Sequence, residues 1–161
     1  MPPRHANSEL AAIAWLKTVP GLPVNQIGTT LPQDNSTWAA SGYVQVMVVG
    51  PGKSSKYYGY RAPVVMAHCW AVNIDKQTPP WGKACDLAED IYAHLLVHSN
   101  GIEDLTLPVA TAPKIRVLQA WCVDEPKRIP WGFPSGQGSF IDPANTAHYT
   151  VSFQIAWAEL P

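Results

Sequence analysis

Apolar and polar positions alternate most regularly near the C-terminal end of the chain. Tyr149, Val151, Phe153, Ile155 and Trp157 are separated by Thr150, Ser152, Gln154 and Ala156. A period of two predicts a strand with one buried and one wet face. The same period predicts a strand over Tyr43 to Val49, with Val44, Val46 and Val48 on one face. From Tyr57 to Val72, Val65, Ala67, Cys69 and Ala71 alternate with Val64, Met66, His68, Trp70 and Val72. Both sets are largely apolar, which predicts a central strand, with Gly59 or Pro63 as the place for a break. Ile115 to Val123 reads as a further strand, and Pro23 to Ile27 as a short edge strand. Helical spacing appears twice. Leu10, Ile13, Ala14 and Lys17, widened by Trp15 and Leu16, predict a helix over Glu9 to Thr18, capped by Asn7 or Ser8 and stopped at Val19-Pro20-Gly21. Ala84, Leu87, Ala88, Ile91 and Leu95 form one stripe of a second helix. Thr78 is its expected N-cap, Pro79 its first residue, and Asn100-Gly101 its end.

Between these elements lie a polar loop over Leu31 to Ala40, a basic hairpin turn over Pro51 to Lys56, and a connection from Asp124 to Ala147. The last holds Pro126, Pro130, Pro134 and Pro143, and loops of that length inside a domain usually carry function. Strands do not alternate with helices, so a doubly wound parallel sheet is disfavoured. The expected fold is α+β: a mainly antiparallel β-sheet with two helices packed on one face and long loops, in a single domain over residues 1–161. Pro80-Trp81-Gly82 and Pro130-Trp131-Gly132 echo each other, too briefly to establish a duplication.

Composition narrows the classes. Charged residues are 14% and hydrophobic ones 47% of the chain, with net charge −1, which argues against disorder and against a basic field for nucleic acid. No apolar run approaches the ~20 residues of a membrane helix, and the N-terminus lacks the apolar stretch of a signal peptide, so no membrane role is expected. Seven tryptophans and 16 prolines on so weakly charged a chain suggest either a surface covered by other subunits or a neutral monomer with ordered loops. Cys69, Cys85 and Cys122 are widely spaced and are expected to be reduced, buried, small apolar residues.

Candidate chemistry is thin. His68 and Cys69 are neighbours, but successive strand residues point to opposite faces, so the histidine cannot activate the thiol. His94 and His98 have the spacing of a metal pair without the glutamate of the HExxH motif, and a polar helix face explains them better. Asp86, Glu89 and Asp90 fit a solvated or inter-subunit face, and Pro134 to Ser139 lacks the lysine and helix of a phosphate loop. Lys53, Lys56 and Arg61 among Tyr57, Tyr58 and Tyr60 could contact nucleic acid, but a protein-contact loop is the commoner use of such a tip. No catalytic group, metal site or cofactor is expected.

Two stretches carry a resemblance. Arg61-Ala62-Pro63-Val64-Val65-Met66-Ala67-His68-Cys69-Trp70-Ala71 is followed by Pro79-Pro80-Trp81-Gly82-Lys83-Ala84 and Leu87-Ala88-Glu89. This pattern resembles the tail terminator proteins of long-tailed phages, most closely those of actinobacteriophages, and extends loosely to Trp15-Leu16 and the final strands. The resemblance implies a non-enzymatic virion protein of the tail neck region, assembled in the host cytoplasm. It would form a homo-hexameric ring on the head-proximal end of the tail tube, ending tube polymerisation and joining the tail to the head. Its expected partners are further copies of itself, the major tail tube protein and the head connector or stopper. Genomic DNA would pass through the lumen without sequence-specific binding. A ring needs two different contact patches per subunit. Lys53, Lys56, Tyr57, Tyr58, Trp81, Trp131 and Phe133 are the expected interface residues. The competing expectation is a Trp-rich carbohydrate- or ligand-binding module with a tryptophan platform on one sheet face, and a Cys- or His-dependent hydrolase ranks third.

Overall fold

A computed structural model describes residues 7–55, 59–98, 101–109, 114–130 and 144–160. It is an α+β fold with the element order α1 (Ser8–Leu16), β1 (Ile27–Gly28), β2 (Tyr43–Ser55), β3 (Tyr60–Val72), α2 (Trp81–His98), β4 (Glu103–Thr106), β5 (Lys114–Arg128) and β6 (Thr146–Glu159). One six-stranded sheet runs β1-β2-β3-β6-β5-β4, antiparallel throughout except for the two-residue parallel pairing of β1 with β2.

The topology has a symmetry that the sequence pattern does not display. Each half of the chain contributes a helix followed by three strands, and exchanging the halves leaves the strand order unchanged. The third strand of each half, β3 and β6, meet at the centre. The symmetry breaks at the edges: β1 runs parallel to β2, whereas β4 runs antiparallel to β5. The tripeptide echo is unrelated to it, because Trp81 opens α2 while Trp131 follows β5 and lies outside the described residues.

Both helices pack on one face of the sheet. Val44, Val46, Val65, Ala67, Cys69, Ile115, Val117, Val151, Phe153 and Ile155 meet Leu87, Ala88, Ile91 and Leu95 of α2 and Ala11 to Leu16 of α1 in one continuous core. Six consecutive buried residues in α1 encircle the helix, so it lies inside the protein and not on its surface. Its start is set by Asn7, whose side-chain oxygen accepts the Leu10 N–H at 2.7 Å. Helix α2 starts later than Thr78: Trp81 is its first residue and the Ala84 N–H bonds to the Pro80 carbonyl, so both prolines precede the helix. Among the described residues α2 ends at His98. Asn100 is outside them.

The strands are longer than the alternation suggests. β2 continues through the expected hairpin turn to Ser55, and β3 begins after Gly59 and passes Pro63 without interruption. The disturbance near Pro63 is taken up opposite it, by an irregularity in β2 between Gly50 and Lys53. β5 continues past Val123 to Arg128, shifting register between Asp124 and Lys127, where Pro126 has no N–H to offer a ladder. The strand β4 has no counterpart among the expected elements, because the alternation over Glu103 to Thr106 is short and largely polar.

One end of the far face of the sheet is covered. The segment between β1 and β2 crosses it, burying Leu31 and Trp38 against Tyr43, Trp70 and Val72. Three bonds to backbone carbonyls hold this strap: Tyr43 hydroxyl to Thr30 at 2.8 Å, Gln45 Nε2 to Thr29 at 3.2 Å and Trp38 Nε1 to Pro32 at 3.3 Å. Lys83 of α2 donates to the carbonyls of Ala39 and Ala40 and ties its far end down. Leu31 to Ala40 is therefore a structural cover with two buried anchors.

Candidate functional site

The buried polar side chains of the described residues all lie on the far face. Gln45, His68, Thr146, His148, Thr150 and Ser152 sit on β2, β3 and β6, in register opposite one another or opposite Trp70, Val72 and Met66. At their centre His68 Nδ1 and His148 Nε2 are 2.9 Å apart. The Trp70 ring lies parallel to His148, centroids 3.8 Å apart, and its Nε1–H donates to Gln45 Oε1. His148 Nδ1 is buried with no partner among the described residues. One imidazole donates to the other, which requires the accepting ring to be neutral. Burial lowers the pKa of His68, and burial together with the neighbouring His68 lowers that of His148 to about 3. A buried imidazolium at His148 would carry an Nδ1–H with nowhere to donate. Cys69, the nearest thiol in the sequence, lies on the other face of the sheet from this pair.

The cysteines divide by burial. Cys69 is fully buried with its thiol pKa pushed far up by desolvation, whereas Cys85 and Cys122 are half-buried, a correction to the expectation that all three are core residues. All three are free thiols. His94 stacks obliquely on Trp15 at 5.3 Å, a packing role, and the His98 side chain lies outside the described residues. Among the described residues no cluster of His, Cys, Asp and Glu could hold a metal ion, and no helix is long and apolar enough to cross a membrane.

Of the expected interface residues, Lys56, Tyr57, Tyr58, Trp131 and Phe133 lie outside the described residues. The backbone of Lys53 is in β2, paired with Ala62. Trp81 is half-buried at the start of α2. The Arg128 guanidinium sits 3.7 Å from its ring centroid and Tyr149 meets it edge-on. One face of that indole is thus occupied within the chain.

The most exposed large apolar side chains of the described residues lie elsewhere. At the C-terminal end of α2, Leu96 and Val97 are 61% and 76% exposed, and Ile102, just beyond the helix, is 69% exposed. Two clefts that share Pro20 and His94 join Val97 to Ile102, and Leu96 lines neither. One, of about 400 Å³, reaches Trp15 and Ile102, and the other, of about 260 Å³, reaches Ala93 and Val97. Asp90 stands in the second cleft against Gly21, its pKa raised by burial and by the charge of Asp86. The signal for this patch was in the helix itself: Leu96 and Val97 fall outside the buried stripe and are apolar where a solvated face calls for polar residues. No protein-family model and no curated protein matches this chain.

Proposed function

We propose that the chain is a ring-forming structural protein of the tail terminator kind, capping the head-proximal end of a phage tail tube and joining it to the head connector. The observation that carries this reading is the apolar patch of Leu96, Val97 and Ile102. Isolated exposed apolar residues are ordinary, but Val97 and Ile102 on the rims of two adjoining clefts, with Leu96 beside Val97 in the helix, are characteristic of a surface that another protein covers. The resemblance over residues 61–89 supplies the partner: other copies of the chain, and through them the tail tube protein. A neutral balance of charges and His68 and Cys69 committed to opposite faces support a structural over a catalytic role.

The test is assembly. Tube protein from the same genome is polymerised with and without the chain, and tube length is measured by negative-stain microscopy. The wild type is expected to end growth and to appear as a ring on one tube end. The double substitution Val97→Asp with Ile102→Asp, at exposed positions where folding is little affected, is expected to abolish both. Tubes of unaltered length with no terminal ring in the presence of the wild type would overturn the reading.

A further inference from the structure

We infer that the far face of the sheet, at the end away from the strap, carries a binding site for a neutral saccharide ring. This site is separate from the assembly patch, on the opposite side of the sheet from α2. Three strands build an open groove of about 360 Å³: Tyr60 and Ala62 from β3, Gln154 and Ala156 from β6, Leu118 and Trp121 from β5.

The arrangement follows from the register. Gln154 lies opposite Trp121 and Ala156 opposite Gln119, so β6 supplies the floor and its flanking strands the walls. Ala62 and Ala156 are small, which leaves the floor shallow between larger neighbours. Strands two apart in a sheet stand about 9.5 Å from each other. Tyr60 lies opposite Ala158 and Trp121 opposite Gln154, so the two rings are also offset by four residues along β6, about 13 Å. The groove runs obliquely between them, with Trp121 as the face on which a saturated ring stacks at carbon contacts of about 3.5–4.0 Å. β5 is irregular here: its register shifts between Val117 and Gln119, and the additional residue, Leu118, lines the groove. A bulge of this kind re-aims side chains, and bulges concentrate beside binding sites.

The polar groups are those a sugar uses. The Gln154 amide is held in place by donation from Nε2 to the Ala62 carbonyl at 2.6 Å, which points its Oε1 as a ready acceptor. Among the described residues neither the Tyr60 hydroxyl nor the Trp121 Nε1–H has a partner, and nothing stacks on the Trp121 ring. One acceptor, one pure donor and one hydroxyl that does both, set among aromatic faces, match the hydroxyls and the C–H faces of a pyranose.

The absence of charge in the lining selects among ligands. Among the described residues no charged side chain lines the groove. The neighbouring arginines are engaged: Arg61 lies over Trp157 on the helix-covered face, and Arg116 is bidentate to Asp104. A nucleotide, a sugar phosphate or an acidic sugar would meet no cation there, whereas a neutral sugar needs none.

Saturation-transfer difference NMR with the full chain tests this, using N-acetylglucosamine, galactose and maltose at roughly tens of millimolar, above the millimolar affinity typical of one-ring contacts. At least one sugar is expected to receive transfer, strongest at its axial ring protons. Trp121→Ala is expected to weaken binding tenfold or more, and Tyr60→Phe less. Trp81→Phe, on the other face, is expected to bind as the wild type does. If W121A fails to fold, Tyr60→Ala on the opposite wall carries the same expectation. No transfer to any of the three sugars, undiminished transfer in folded W121A or Y60A, or stronger transfer to uridine than to every sugar would each overturn the proposal.

Discussion

The buried histidine pair makes the protein lose stability on acidification well above the range where carboxylates titrate. In the folded chain His68 and His148 are neutral and buried, bonded to each other at 2.9 Å, with Trp70 stacked on His148. In the unfolded chain each takes a proton near pH 6.5. The folded pKa is the lower one, so the stabilisation is complete above the unfolded value and is lost as pH falls from 6.5 toward the folded value, about 3 for His148. At pH 5 the unfolded state has gained almost the whole proton and the folded state almost none. One and a half pH units at 1.36 kcal/mol each then gives a loss of about 2 kcal/mol from His148 alone. His68 shifts in the same direction and adds to it. Asp90 opposes them, since its raised pKa stabilises the fold as pH falls, so the comparison is made in an Asp90→Asn background. Urea unfolding followed by tryptophan fluorescence at pH 7.5 and pH 5.0 measures the difference. His148→Gln keeps a polar partner for His68 and removes the titrating group. It is expected to be less stable at neutral pH but to lose about 2 kcal/mol less between the two pH values. Equal losses in both chains would show that His148 is not held neutral, and the account of the far face would fall with it.

Four further outcomes are expected. Leu87→Ala and Ile91→Ala truncate side chains in the core beneath α2 and should each cost about 2–5 kcal/mol in chemical denaturation. Gly52 has φ +61° and an added Cβ would run into the Ala62 carbonyl, so Gly52→Ala should cost about 1–3 kcal/mol, while Gly82→Ala, where a Cβ meets nothing, should not destabilise. A thiol reagent at pH 8 should leave Cys69 unmodified until the chain unfolds and should reach Cys85 and Cys122 first, as read by mass spectrometry of labelled peptides. Arg128→Ala frees the Trp81 ring and should change stability by no more than about 1 kcal/mol, with an altered emission spectrum as the more sensitive readout.

Much of the fold is legible in the order of apolar and polar residues. The alternation in β2, β3 and β6 and the stripe of α2 are enough to predict one sheet with helices on a single face, because burial against a common layer demands those periods and nothing else satisfies them. The near-continuous apolar character of β3 marks it as central, and it is. The same logic fails on the far side of β6. Thr150 and Ser152 have the character of solvent-facing residues, yet both are buried, since a polar residue on a strand records only that its partners are polar, not that they are water. Local pattern also ends the strands too early. Pro126 and the Pro51-Gly52 pair signal a break to local reasoning, whereas register shifts let the ladders continue past them.

The candidate sites depend still more on the third dimension. Leu96 and Val97 stand out on the helix, but the pairing of Val97 with Ile102 and Pro20 across adjoining clefts follows from how α1, α2 and β4 meet. Tyr60, Trp121 and Gln154 lie far apart in the chain and share no motif. The pairing of β3 and β5 with β6, and the bulge at Leu118, bring them to one groove. His68 and His148 are 80 positions apart and become partners through the central β3–β6 ladder. Periodicity reports which side of an element is buried, and so the layers of this protein are written into its residue order. Which elements lie side by side is settled by the packing of all of them at once, and every contact between distant residues on which function could rest comes from that packing.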